Sequence, residues 1–190
     1  MNYAEVIEFV KQKTAETDRP KQYPFRNRFE HIMRVYRWAI RLQAKLGGNL
    51  DVIVLSALLH DVGWDENRPH EEVSAEMAVE YLDSIETDPD TIRRVGEIIL
   101  LHNDKDTEKD LSLECKIVMD ADLLDEVGAL GIMWDCMATA LEDEASYKRA
   151  YYRINKPKIR RCKTDAGRAE YTKRMQAIEA YIYQLEKELF

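Results

Sequence analysis

The segment that most constrains the fold is LDVIVLSALL, residues 50–59, because it is apolar on nearly every side. A helix of this kind is buried at the centre of a helical protein. The segment runs directly into His60 and Asp61, and Gly63 follows as a natural helix stop. A carboxylate at this position needs a basic partner, solvent or a cation, because an unpaired buried carboxylate is costly. The partial negative charge of a helix C-terminus also favours a cation.

The rest of the chain shows helical periodicity and no alternating pattern of the strand type. Turn signals, such as GGN at 47–49 and TDPD at 87–90, separate the apolar stripes. The patterns predict helices at residues 2–16, 29–46, 50–61, 71–84, 89–102, 111–124, 125–142, 145–155 and 165–189. A chain of 190 residues suits one domain, so we expect a single all-α helical bundle over residues 1–190.

Net charge and cysteine content limit the classes of partner and the cellular compartment that we expect for this protein. The net charge of −8 has the opposite sign to that of a bulk nucleic-acid binder, so we expect no nucleic-acid partner. No apolar run approaches the ~18 residues of a membrane span, and the acidic, amphipathic start does not resemble a secretory signal. The cysteines lack CxxC spacing, which indicates a reducing cytoplasm and excludes a zinc–cysteine site. They are Cys115, Cys136 and Cys162.

The four histidines all lie at or near the ends of predicted helices, where a bundle could bring them together. They are His31, His60, His70 and His102. An acidic segment, MDADLLDEVGA, supplies Asp120, Asp122 and Asp125 as further candidates. Imidazole and carboxylate ligands suit Zn, Mn, Fe, Ni or Co better than Ca or Cu(I).

The order His31, His60-Asp61, Asp122 resembles the signature of the HD-domain superfamily of metal-dependent phosphohydrolases. The strings RFEHIMRVYRWA, SALLHDVG, HEEVSAEMA, EIILLH and DADLLDEVGALGI carry this resemblance over about residues 26–132. TDAGRAEYTKRMQAIEAYIYQLEKE is similar to small bacterial HD-domain proteins, some of which hydrolyse nucleoside triphosphates. The resemblance implies a bundle of the HD-domain type, with helices of residues 145–190 packed on its core.

The resemblance also implies a divalent transition metal ion. Its ligands would be His31, His60, Asp61 and Asp122. His70 and His102 match two extra histidines of dinuclear members, so they would bind a second ion or face the substrate. We expect one ion and leave the second open.

The implied reaction is attack of a metal-activated water on the phosphorus of a nucleotide or related small phosphate ester. Asp61 would orient the nucleophile, and the candidate general acids or bases are Asp65, Glu66 and Asp125. Many relatives carry lysine, aspartate or glutamate where this chain has Trp64. Either the acidic function has moved by one residue, to Asp65, or Trp64 stacks on the base of a nucleotide. Relatives with the string DADRLD carry arginine where this chain has Leu123. The phosphate contact of that arginine is therefore lost or relocated in this chain.

A basic run at residues 147–163 holds eight Lys or Arg and no acid. It is either a solvated helix face or a rim that faces substrate phosphates. Lys156 and Arg168 are the expected basic contacts to the substrate, beside His70, His102 and Trp64. Two alternatives stay open: a dinuclear-iron oxygenase of the HD fold and a non-catalytic metal-binding module. The sequence also leaves open whether the chain forms an oligomer.

Overall fold

The computed structural model describes residues 1–16, 27–104, 109–139, 145–155 and 162–189. The helices in these ranges are α1 (Tyr3–Glu16), α2 (Arg28–Leu46), α3 (Leu50–Leu59), α4 (His70–Ser84), α5 (Pro89–Leu101), α6 (Leu113–Asp125), α7 (Ala129–Thr139), α8 (Ala145–Ile154) and α9 (Asp165–Leu189). No strand occurs in the described part of the chain, so the predicted all-α fold is confirmed.

The apolar helix α3 lies at the centre of the bundle, as its composition predicts. Every residue from Val52 to Leu59 is buried. The helix packs against α1, α2, α5 and α6, so apolar side chains are covered on all its sides. The side chain of Asn49 caps its first turn by accepting a hydrogen bond from the backbone N–H of Val52 at 3.1 Å.

Two extensive helix pairs flank this central helix, α2 against α6 and α4 against α5. Local caps fix where three of these helices begin. The side chains of Asn27, Asp88 and Ser112 each accept a hydrogen bond from the backbone N–H of the third residue of α2, α5 and α6, respectively. Five helix ends meet at one side of the bundle. They are the starts of α2 and α4 and the C-terminal ends of α3, α5 and α6.

Most predicted helix limits lie within two residues of the observed ones. The helix predicted at 125–142 begins later, because α6 continues to Asp125 and α7 starts at Ala129. Gly128 between them has φ +89, a left-handed conformation that interrupts the helical path. The predicted end at residue 142 lies outside the described residues.

Gly63 ends no helix, contrary to the sequence-based expectation, because α3 already stops at Leu59. The residue is instead needed for a close approach of two backbones. A Cβ at Gly63 would lie 2.7 Å from the backbone nitrogen of Ser74 in α4. The N–H of Gly63 donates to Ser74 Oγ at 3.0 Å, which ties the segment after His60-Asp61 to the first turns of α4.

A buried carboxylate joins the C-terminal part of the chain to the core. Asp120 of α6 accepts hydrogen bonds from the backbone N–H groups of Lys163 and Thr164, at 2.6 and 2.9 Å. These residues lead into α9, which packs on α2 and α6. A Cβ at Gly167 would overlap this carboxylate, so α9 fits here only with glycine at that position.

Within the described ranges, every helix is too short or too polar to cross a bilayer.

Candidate metal centre

The structure brings all four histidines together at one end of the bundle. His60 and His102 are the C-cap residues of α3 and α5, His70 is the first residue of α4, and His31 lies in the first turn of α2. Their rings form a continuous series, with centroids 5.3 Å apart for His31 and His60, 5.0 Å for His60 and His102, and 5.3 Å for His70 and His102. Three of these rings are buried, and His70 is partly exposed.

Helix ends orient two of the rings. His60 Nδ1 lies 2.9 Å from the carbonyl oxygen of Ala57, and His102 Nδ1 lies 2.6 Å from that of Ile99. A carbonyl oxygen only accepts, so each Nδ1 carries the proton and donates it. These carbonyls belong to the last helical turn, where no further backbone N–H can reach them. In the tautomer that these bonds select, the lone pair of each ring is on Nε2.

His31 is held between two carboxylates of α6. Its Nε2 lies 3.4 Å from Asp122 Oδ1, and its Nδ1 donates to Asp125 Oδ2 at 2.8 Å. The Asp125 carboxylate also accepts from Arg34 Nε at 2.7 Å. As with His60 and His102, the Nδ1 proton is bonded away from the centre and Nε2 faces inward.

The inward-facing atoms form a compact donor set. His31 Nε2 lies 3.3 Å from His60 Nε2 and 3.4 Å from Asp61 Oδ2. His60 Nε2 lies 3.8 Å from Asp61 Oδ2 and 3.9 Å from Asp122 Oδ1. Metal–nitrogen and metal–oxygen bonds of about 2.1 Å put adjacent ligand atoms about 3.0–3.5 Å apart. Two imidazole lone pairs and two carboxylates at this spacing fit a divalent transition metal ion.

A second group of donors shares Asp61 with the first. One atom each of His60, Asp61 and His102 lies within a 4.8 Å cluster. His70 Nε2 lies 3.3 Å from Asp61 Oδ1, while Oδ2 of the same carboxylate faces His31. The two oxygens of Asp61 thus face different histidines, an arrangement that suits one ion or two.

The environment keeps His60 in the form that binds metals. Burial lowers the pKa of His60 well below its usual value, and the nearby His102 and His31 lower it further. Asp122 opposes this shift without reversing it. The ring is consequently neutral at physiological pH, with Nε2 able to act as a ligand.

Asp125, predicted as a general acid or base, has both oxygens engaged. Burial alone would raise its pKa, but hydrogen bonds from His31 and Arg34 outweigh burial and lower the pKa below its usual value. Arg34 donates to Oδ1 and, through Nη2 at 3.1 Å, to Oδ2. A group that transfers protons would have to release these bonds, so the contacts favour a role in holding His31.

Two arginines beside the centre were missed in the sequence analysis. The guanidinium Nη1 of Arg28 contacts Asp61 Oδ2, and Arg34 pairs with Asp125. Arg28 and Arg34 lie three residues before and three residues after His31, so the helical period places them on its side of α2. That spacing is the signal from which both could have been found.

Three predicted residues lie in the connection between α3 and α4. Asp65 and Glu66 are exposed, and Asp65 Oδ1 accepts from the N–H of Asn67 at 2.8 Å. Trp64 is partly buried. Because this connection starts at Asp61 and ends at His70, the three residues flank the donor set, and their catalytic or substrate-binding roles stay predictions.

The basic contacts predicted for the substrate are not brought to the centre by any described interaction. Arg168 forms an ion pair with Asp165 and donates to the carbonyl oxygen of Cys162 at 2.9 Å, both at the start of α9. Lys156 lies outside the described residues, as does much of the basic run. A phosphate-facing role for this run stays a prediction.

The sequence model of the HD domain matches residues 28–126, more than half of the chain. This protein therefore belongs to the HD-domain family, the class that the fold and the donor set also define. A protein from Clostridium beijerinckii, described as uncharacterized, is 32% identical over 115 residues, which are 57% of this chain and 71% of that protein.

Solved structures with the same fold include hydrolases of this superfamily. An HD-superfamily hydrolase from Bacillus thuringiensis is 25% identical with a TM-score of 0.72, over 97% of this chain and 95% of that chain. A predicted HD superfamily hydrolase from an uncultured Thermotogales bacterium is 22% identical with a TM-score of 0.71, over 98% and 92%. Bacillus subtilis YpgQ in complex with ADP is 24% identical with a TM-score of 0.70, over 97% and 93%. The chain thus has the HD-superfamily hydrolase fold, which implies divalent metal binding.

Proposed function

We propose that this protein is a metal-dependent phosphohydrolase that acts on a nucleotide or a related small phosphate ester. The observation that carries the proposal is the buried donor set of α2, α3 and α6 with a guanidinium beside it. The residues that would hold the ion are His31, His60, Asp61 and Asp122. When bound, a divalent metal ion supplies Lewis-acid chemistry, by which it lowers the pKa of water and polarises a phosphoryl oxygen.

Arg28 is the residue best placed to bind the phosphate. Its guanidinium reaches the donor set from the first turn of α2 and contacts Asp61. A guanidinium presents paired N–H donors that match two phosphate oxygens. The chain carries a net charge of −8, so an anionic substrate needs such a local positive charge. Arg28 would also replace the contact that relatives form with arginine at the position of Leu123, which is buried here.

Proton transfer to the leaving oxygen is assigned to the connection between α3 and α4. Asp65 and Glu66 are exposed carboxyl groups in the connection that runs from Asp61 to His70, and carboxyl groups serve as general acids. His70 is partly exposed, and its Nδ1 lies 3.1 Å from Glu71 Oε2. These groups would contact the substrate, with Trp64 as a stacking surface.

A nucleotide substrate is supported by the relative that has been solved with ADP, Bacillus subtilis YpgQ. Nucleotides are therefore the first substrates to test. The protein should be stripped of metal and loaded separately with Mn²⁺, Fe²⁺, Co²⁺, Ni²⁺ and Zn²⁺. Nucleoside mono-, di- and triphosphates, cyclic dinucleotides and ppGpp would be incubated with each form, and phosphate, pyrophosphate and nucleoside measured separately.

The matched variants for this assay are Asp122→Asn and Asp135→Asn. Asp135 is buried like Asp122, but it accepts from Arg153 Nε at 2.7 Å and lies outside the donor set. We expect turnover in the wild type and in Asp135→Asn and its loss in Asp122→Asn. Metal-loaded wild-type protein that turns over no phosphate compound in the panel would overturn the proposal.

The shared carboxylate of Asp61 favours one second candidate, a dinuclear-iron oxygenase. Its two oxygens face His31 and His70, and His60, His102 and Asp122 lie in the adjoining donor clusters, so six side chains surround the site. Two irons per chain with a mixed-valence electron paramagnetic resonance signal, together with oxygen consumption, would favour this function. One ion per chain without such a signal would exclude it.

A further inference from the structure

The metal centre rests on two pairs of side chains that face each other across the α2–α6 contact. His31 and Arg34 are three residues apart on α2, and Asp122 and Asp125 are three residues apart on α6. This spacing puts both members of each pair on one face of their helix. The imidazole of His31 lies between the two carboxylates, 3.4 Å from Asp122 and 2.8 Å from Asp125.

Asp125 holds the side of the His31 ring that faces away from the donor set. It is 1% exposed and accepts the Nδ1 proton, which leaves Nε2 directed at His60 and Asp61. A carboxylate in this position fixes the tautomer and the ring orientation of a metal-binding histidine and increases its basicity. Loss of such a partner typically weakens metal binding about 10- to 100-fold.

Arg34 in turn fixes the Asp125 carboxylate. Its Nε donates to Oδ1 at 2.7 Å and its Nη2 donates to Oδ2 at 3.1 Å, so the planar guanidinium engages both oxygens. A lysine ammonium lacks this fork and cannot orient the carboxylate in the same way. The guanidinium carbon of Arg34 also lies 5.1 Å from the centre of the Trp134 ring, which α7 supplies.

We propose that Arg34 is a positioning residue for the metal ion. Arg34 acts on the ion through Asp125 and His31, and the Trp134 ring of α7 packs against the Arg34 guanidinium and holds it in place. The inference rests on the metal site of the proposed function, but it concerns metal affinity and not turnover. It gives Asp125 a positioning role in place of the proton transfer expected from the sequence. It also makes the packing of α7 a determinant of how tightly the centre holds its ion.

The chain offers a matched control for this network. Arg153 of α8 donates from Nε to Asp135 Oδ1 at 2.7 Å, the same atoms and the same distance as between Arg34 and Asp125. Asp135 is also buried, and its described side-chain partner is Arg153 of α8. Arg153→Lys therefore makes the same chemical change at an arginine that pairs with a buried aspartate outside the centre, although the Arg153 side chain is more exposed than that of Arg34.

The test measures the dissociation constant of Co²⁺ by competition with a chelator, the Co²⁺ absorption spectrum, and the unfolding midpoint of the metal-free protein. We expect Arg34→Lys to weaken Co²⁺ binding about 5- to 30-fold and Asp125→Asn about 10- to 100-fold. Trp134→Leu should weaken it about two- to fivefold, as expected from loss of a cation–π contact. Arg153→Lys should leave the Co²⁺ dissociation constant and spectrum unchanged even where it lowers the metal-free midpoint.

The proposal is overturned if Arg34→Lys binds Co²⁺ as tightly as the wild type. It is also overturned if Arg153→Lys weakens binding equally, because loss of stability would then explain both. If Asp125→Asn does not fold, Arg34→Lys and Trp134→Leu decide the question. Failure of the wild type to bind any divalent metal would overturn the proposed function as well, whereas normal binding without phosphohydrolase activity would leave this inference intact.

Discussion

His60 Nδ1 lies 2.9 Å from the carbonyl oxygen of Ala57, three residues earlier in the same helix. The bond uses a carbonyl that the end of α3 leaves without a backbone partner, and it directs Nε2 toward Asp122 and His31. His102 repeats the arrangement with Ile99 at the end of α5. Two metal-binding candidates are therefore oriented by their own helices, whereas His31 depends on a carboxylate from another helix.

Removal of Asp61 should abolish metal binding and activity together. In Asp61→Ala the carboxylate that faces both His31 and His70 is absent, and Arg28 loses its acidic partner. Metal content after dialysis, measured by mass spectrometry, and turnover of the best substrate would be compared with the wild type. A variant that keeps full activity would contradict the assignment of Asp61.

Substitution of Arg28 should affect the substrate and leave the metal in place. Arg28→Ala should raise KM about 10- to 100-fold, the loss expected for a charge-assisted hydrogen bond to phosphate. Bound metal per chain should stay at the wild-type value. Arg37→Ala is the control, because Arg37 is on the same helix but exposed. Equal effects of the two substitutions on KM would mean that only net charge matters.

Glu114 should contribute stability that depends on pH. Burial alone would raise its pKa, but the N–H of Asn49 and the guanidinium of Arg94, each 3.0 Å away, outweigh burial and lower it below its usual value. A lowered folded-state pKa means that the contribution is present above the unfolded pKa and is lost as pH falls through the folded pKa.

The variant Glu114→Gln should therefore lower the free energy of unfolding by about 1 kcal/mol at pH 7. The difference from the wild type should shrink as pH falls below the ordinary glutamate value of 4.5. Chemical denaturation of the metal-free proteins at pH 7 and at acidic pH measures both differences. If the free energy of unfolding differs between the two proteins by the same amount at both pH values, ionisation of Glu114 is not the cause of the difference.

Gly63→Ala should destabilise the protein by overpacking. The added Cβ would meet backbone atoms of Val73 and Ser74 at 2.7 Å, which cannot move without displacing α4 and His70. The expected loss is about 1–3 kcal/mol in the free energy of unfolding. In the control, Gly96→Ala, the new Cβ lies 3.2 Å from a side-chain methyl of Val79, and the change should stay within about 1 kcal/mol. Equal costs at both positions would contradict the overpacking explanation.

The sequence by itself determined the helices and the central position of α3. Periodicity, caps and turn residues act over a few positions, so the start of α5 follows from Asp88 and Pro89. The start of α6 was predicted two residues early, because its cap Ser112 was not recognised. The apolar composition of residues 50–59 required burial on all sides, and it put His60 and Asp61 at the end of a central helix. Gly128 was not recognised as a helix break, because its left-handed backbone is not specified by periodicity.

Only the tertiary structure decided which side chains meet around His31. Asp122 and Asp125 both follow from the acidic segment, but their distinct contacts with Nε2 and Nδ1 depend on how α2 is rotated and shifted against α6. His31 and Asp125 are 94 positions apart, and the contact of Arg28 with Asp61 likewise joins α2 to a distant part of the chain, the connection after α3. Periodicity specifies which face of a helix is buried. The register between two packed helices is set by the fit of side chains from the whole core, and no local segment contains that information.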